Sequence, residues 1–168
     1  ACKAPALNSA IAAVAPCVGQ DTRILPVLNG VRHLATLQRA FPANPILGGI
    51  AHGALTLRSD GTIDHLSPFF TLIVGSASDA SDPIAQHVVE SLRASQMDAR
   101  LSADIQQDLW SKFVFLTTLA GITCLMRASI GTILQTDGGR QRILHLLEET
   151  YSVALAEGFA PPDTLMEE

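Results

Sequence analysis

The sequence predicts an α/β fold that gives way to an all-α one, and three observations carry the prediction. Residues 22–51 follow a strand-helix-strand pattern that calls for a parallel sheet, short strands joined by tight turns continue to residue 75, and beyond Ser102 the apolar spacing is helical throughout. The switch near residue 100 marks a domain boundary, dividing the chain into residues 1–100 and 101–168.

Each element has a local reason. Residues 4–16 (APALNSAIAAVAP) make a helix opened by Pro5, whose missing N–H costs nothing in a first turn. Residues 22–28 (TRILPVL) form a buried strand leading into Asn29-Gly30, and Val31, Leu34, Leu37 and Phe41 keep a helical period. Residues 45–51 (PILGGIA) supply the next strand. Residues 54–58, a Ser-Asp-Gly turn at 59–61, residues 62–66 and residues 69–75 then read as three short antiparallel strands that extend the sheet. Asp82 caps a helix over 82–94 with Pro83 at its first position. A long helix follows SADI at 102–105, and another runs from about Gly138 to a stop at Gly158. The Pro161-Pro162-Asp163 segment resembles a further helix start, and the abrupt ends suggest a fragment of a longer chain.

Composition narrows the function. The 168 residues carry a net charge of -5 and no run of Lys or Arg, which argues against nucleic acid, since phosphate binding needs clustered positive charge. Apolar residues make up 48% and charged ones only 16%, so the segment carries more apolar surface than it can bury alone; a homodimer is one way to cover it. Residues 113–126 are the longest apolar stretch, interrupted by Thr117, Thr118, Gly121 and Thr123, and read as a buried helix rather than the roughly 18-residue run of a membrane span. Cys2, Cys17 and Cys124 form neither a disulfide framework nor a zinc spacing, which makes a reducing cytoplasm the expected location and a metal site unexpected.

Familiar catalytic patterns are missing. GGIAHG at 48–53 has the wrong glycine spacing for a dinucleotide fingerprint, and neither a P-loop, a His-Glu-x-x-His nor a Gly-x-Ser-x-Gly occurs. His33, His87 and His145 sit beside polar helix positions and are expected in solvent, whereas His52, after a strand and before Gly53, is expected to be structural, with presentation to a ligand as the alternative.

One residue breaks the pattern. In IQQDLWSKFVFLTTLA (105–120), Ile105, Leu109, Lys112 and Leu116 fall within about 60° of one another, so a lysine occupies the middle of an apolar stripe. Either its stem packs on the core while the ammonium reaches water at an edge, or it projects into a cleft where partial desolvation makes it a usable proton donor. Lys3, at the expected end of a strand, is either solvated or a ligand contact, and Asn29-Gly30 is either a plain turn or a binding loop.

Taken together, K-A-P-A-L at the start, V-L-N-G at 27–30, L-G-G at 47–49 followed by Ala54, D-I-Q-Q-D-L-W-S-K-F at 104–113 and M-R-A-S-I-G-T-I at 126–133 resemble the ketopantoate reductases, or 2-dehydropantoate 2-reductases, and their relatives. The resemblance covers essentially the whole chain. It implies the C-terminal part of a Rossmann-like nucleotide-binding domain joined to the first helices of a helical domain, the substrate lying between the two. It also implies NADPH as cofactor and a small keto acid as substrate. By the same resemblance Lys3, Asn29 with Gly30, and Ala54 are the cofactor contacts, and Lys112 is the catalytic acid that protonates the ketone oxygen as hydride reaches carbon.

The chain departs from that pattern in one region. Leu116 and Ala120 stand one and two turns after the lysine where the family carries asparagines, and Ile130-Gly131 replaces an Asn-Gly. That turns the expected substrate from ketopantoate itself toward a more apolar keto acid or ketone. A non-catalytic nucleotide-binding or dimerisation module of the same fold is the rival reading, favoured by Leu116 and Ala120 and opposed by Lys112. A 6-phosphogluconate or hydroxyacid type of two-domain dehydrogenase is a third, opposed by Lys-Ala-Pro and L-W-S-K-F.

Overall fold

Pro5 stands in a 3-10 turn, Ala4–Ala6, that runs into α1 (Leu7–Val14) and a second 3-10 turn, Ala15–Cys17, so the first helical stretch forms as its composition dictates. The structure is a computed structural model and describes residues 2–78 and 82–162; Asp163 and the helix expected to begin there lie outside the described residues. The chain divides into two compact units, Ala1–Gln106 and Gln107–Glu168.

In the first unit, residues 22–28 make only two isolated parallel bridges, Ile24 to Ile46 and Val27 to Gly49, in place of the continuous strand expected. Pro26 is the reason, because its missing N–H breaks the ladder between them. The direction is nonetheless parallel, with α2 (Arg32–Ala40) as the crossover, and Asn44 Nδ2 ties the connection down by donating to the carbonyls of Gly19 at 2.7 Å and Thr22 at 3.0 Å.

The antiparallel region holds two long strands where three short ones were expected. β1 (Leu47–Leu57) pairs along β2 (Ile63–Ser76), from Leu47 opposite Ser76 to Leu57 opposite Ile63. The expected break near Ser67-Pro68 survives as a bulge, because the register passes from Gly53 opposite Phe70 to Leu55 opposite His65. Gly61, at φ 87°, makes the tight turn, with Asp60 Oδ1 accepting from the Thr62 amide at 2.9 Å. Around this end Leu55, Leu57, Ile63 and Leu66 are all exposed.

α3 (Pro83–Ala94) is capped as expected, the Ile84 amide donating to Asp82 Oδ1 at 2.9 Å. A strand the sequence did not announce, β3 (Asp98–Leu101), then pairs parallel with β2 over Thr71–Val74. Leu47, Val74, Ala85, Val89 and Ala99 form the core between this sheet and α3. On the other side Leu37, Phe41 and Ile46 pack with Leu7 and Ile11.

α4 (Ile105–Met126) starts in the first unit and continues into the second. The division falls after Gln106, with β3 and Ile105 packed into the sheet of the first unit. In the second unit α5 (Ile130–Leu134), also unannounced, is capped by Ser129, and α6 (Gly139–Ala156) begins after Gly138 at φ 67°. Val114 of α4 meets Leu147 and Ala154 of α6 in a core joined by Trp110 and Tyr151. Trp110 stacks on Phe159 at 5.4 Å, and Thr118 and Thr150 share a hydrogen bond of 3.0 Å.

α4 corrects the expectation of a buried helix. By length and composition it could cross a membrane, with a mean hydropathy of 1.5 over its most apolar window, yet only 22% of that window is buried inside the described residues. Leu109, Val114, Thr118 and Ile122 are buried whereas Phe115 and Leu125 are exposed, so part of the helix's apolar surface stays uncovered.

Candidate functional site

Lys112 lies in the interior of α4, half-buried, between the buried Leu109 and Val114. Its helical position is set by a regular turn upstream, where Ser111 Oγ donates to the Gln107 carbonyl at 3.0 Å and Gln107 Nε2 reaches the Ala160 carbonyl at 3.0 Å. Burial holds the Lys112 ammonium below the ordinary lysine range, since taking a cation out of water disfavours its charged form. A cation so placed is a stronger acid than a solvated lysine.

The other expected residues lie in the first unit. Asn29 is exposed and Gly30 takes φ 94°, a left-handed conformation that glycine adopts without strain. A Cβ built on Gly30 would meet nothing within 4 Å, so the loop is open on that side. These two residues follow the segment bridged in parallel to β1, just past its C-terminal end, which is where open α/β sheets receive ligands. Ala54 lies further along β1, opposite the bulge of β2, and its amide donates to Ser67 Oγ at 3.3 Å. A cofactor contact through that amide has to share or displace the Ser67 bond. Lys3 is exposed and extended at the N-cap of the first 3-10 turn, where its carbonyl accepts from the Ala6 amide at 2.9 Å. Asn29, Gly30 and Ala54 are therefore at one end of the same strand system, and Lys3 is at the head of the first helical stretch.

The glycines of L-G-G have a packing explanation. A Cβ on Gly49 would come within 2.8 Å of the Pro26 carbonyl oxygen, so the bridged segment can approach β1 only because the residue is glycine. Gly48 faces the other way, toward Ile105.

Two histidines differ from expectation. His33 is buried on α2, only 5% exposed, and neither ring nitrogen has a hydrogen-bond partner among the described residues; burial lowers its pKa and keeps it neutral. Its place beside Leu34 and Leu37 rather than the neighbouring Arg32 decides this, which polar flanks alone do not reveal. His52 pairs with Thr71 inside β1 instead of following a strand, while His87 and His145 are exposed as expected. No group of three or more His, Cys, Asp or Glu is arranged to hold a metal among the described residues.

A groove of about 470 Å³ also opens beside the start of α6, lined by Arg140, His145 and Glu148 among others; none of the expected site residues contributes to it.

Comparison with known proteins bears on both units. Residues 1–79 match the family model described as ketopantoate reductase PanE/ApbA, and residues 104–168 match ketopantoate reductase PanE/ApbA C terminal. The oxidoreductase YkpB of Bacillus subtilis is 32% identical over 168 residues, all of this chain and 55% of that protein. The crystal structure of 2-dehydropantoate 2-reductase from Porphyromonas gingivalis W83 aligns with a TM-score of 0.83 at 25% identity, over 96% of this chain and 55% of that one. D-mandelate dehydrogenase in complex with NADH shares the fold, with a TM-score of 0.86 at 18% identity over 98% of this chain and 55% of that one. The chain thus spans about half the length of the relatives it matches. Its two matched segments, one in the α/β region and one in the helical region, place it in the ketopantoate reductase family, as a partial chain with part of the Rossmann-like domain followed by helices.

Proposed function

We propose that the protein containing this chain is an NADPH-dependent reductase of a 2-keto acid or related ketone, with Lys112 as the general acid. Bound NADPH supplies hydride to the carbonyl carbon. As the C=O π pair moves onto oxygen, the Lys112 ammonium donates a hydrogen bond and then a proton to it, leaving a hydroxyl and a neutral amine that water reprotonates. Lys3, Asn29, Gly30 and Ala54 are assigned to the cofactor. The open Gly30 loop suits such a group because backbone can approach it closely there, and exposed Lys3 offers a charge for a phosphate. The three cysteines, none of them in a disulfide, suit a reducing cytoplasm, and a homodimer is the proposed assembly.

The observation that carries the reading is Lys112 itself: a half-buried cation, its pKa lowered by burial, in the interior of an apolar helix. A helix serving only structure gains by placing an apolar residue there, which weighs against the non-catalytic module. The test is Lys112→Ala in the full-length protein, with NADPH oxidation followed at saturating keto acid. Turnover is expected to fall by about 10²- to 10⁴-fold, the usual contribution of a general acid. Unchanged turnover would overturn the assignment.

A further inference from the structure

A carboxylate, Asp108, precedes Lys112 on α4, whereas the residues that follow it on the same face are apolar but for Thr123. At about 100° per residue, Asp108 lies one turn before Lys112 and within about 40° of its direction. In the other direction Phe115, Leu116, Leu119, Ala120 and Thr123 all fall within about 80° of it, Ala120 lying roughly 12 Å further along. Leu116 and Leu119 are half-buried, Ala120 is exposed and Phe115 is 44% exposed, so this lane is open to a ligand. Its one hydroxyl, that of Thr123, is already engaged. Thr123 Oγ1 donates to the Leu119 carbonyl at 2.6 Å, Thr118 is paired with Thr150, and Thr117 points about 140° away from Lys112.

We infer that the keto substrate carries a bulky apolar substituent, branched or aromatic, which lies along the Phe115, Leu116, Leu119 and Ala120 face of α4 while its carbonyl meets Lys112. The inference rests on the general-acid reading of Lys112. Its physical basis is that a hydroxyl or second carboxylate placed in this lane gives up water and meets only the Thr123 hydroxyl, whose proton is already donated to Leu119, whereas an apolar group gains by leaving water. Leu116 and Ala120 are then specificity-determining residues, acting on which substrate is held and not on the proton transfer.

The test compares two substrates that differ by one hydroxyl, 3,3-dimethyl-2-oxobutanoate and its 4-hydroxy derivative, ketopantoate, with the full-length protein and NADPH. The expected kcat/KM ratio favours the unhydroxylated acid by about 10- to 100-fold, the scale on which apolar pockets discriminate. Ala120→Asn, at an exposed position that tolerates the change, is expected to reduce that ratio at least several-fold by lowering KM for ketopantoate; Leu116→Asn repeats the test one turn nearer the lysine. A preference for ketopantoate that Lys112→Ala abolishes would overturn the inference and leave the reductase reading standing. Reduction of neither acid, nor of phenylglyoxylate, would overturn both.

Discussion

Gly75 and Ile105 are packed against each other so closely that a Cβ on the glycine would stand 2.9 Å from the isoleucine Cβ. Gly48, paired with Gly75 across the β1–β2 ladder, leaves the same space free from the other strand, and Ile105, 1% exposed, fills it. Ser102 closes the slot, its Cβ 3.0 Å and its backbone oxygen 3.2 Å from the same point on Gly75. The first residue of α4 is thereby held by two glycines.

Gly75→Ala is therefore expected to destabilise the first unit, because backbone at Ser102 and a Cβ at Ile105 cannot rotate away. The cost should be about 1–3 kcal/mol, seen as a lower urea midpoint with an unchanged slope. An unchanged midpoint would mean that the slot relaxes freely.

Asp82 gives a second check on local structure. Its carboxylate accepts the Ile84 amide at the start of α3, so Asp82→Ala should cost about 1 kcal/mol and Asp82→Ser much less. Equal losses for both would show that the cap contributes nothing.

Much of this architecture was legible in the sequence. α2, α3 and α6 announced themselves by period and punctuation, and Asp82-Pro83 marked a helix start within a residue. β3 escaped because Asp98, Ala99, Arg100 and Leu101 are too few and too charged to read as a strand; only Ala99 is buried, and pairing with Thr71–Val74 makes the strand. Likewise Ser67-Pro68 correctly signalled an interruption, but a long partner strand turned that interruption into a bulge. Of the candidate site, the anomaly of Lys112 could be read from helical spacing alone. The cofactor contacts proposed at Lys3, Asn29, Gly30 and Ala54 could not, since an exposed lysine, an Asn-Gly turn and an alanine each have ordinary structural explanations, and they rest on the resemblance.

His33 makes stability depend on pH. Its folded pKa lies below the ordinary value of 6.5 because burial disfavours the imidazolium. Below about pH 6.5 the unfolded chain therefore binds a proton that the folded chain resists, and stability falls as pH drops from there toward the folded pKa. Above pH 6.5 the residue contributes no pH dependence. Urea midpoints at pH 7.5 and 5.5 should differ more for the native sequence than for His33→Leu, and equal differences would contradict the buried neutral histidine.

The acid role proposed for Lys112 predicts a pH profile. The protonated amine is the active form, so kcat/KM for keto-acid reduction should fall as pH rises through its pKa, earlier than an ordinary lysine would allow. The descending limb should vanish in Lys112→Arg, whose guanidinium stays charged, along with most of the rate. An unchanged limb in that variant would assign the titration to another group.

The most direct measurement sets activity against stability in one substitution, Lys112→Met in the full-length protein. The methionine keeps the stem and removes the ammonium, so the thermal midpoint should shift by only a few degrees while NADPH-dependent reduction falls by about 10²- to 10⁴-fold. Loss of both together would make Lys112 a structural residue, and retention of turnover would contradict the central claim outright.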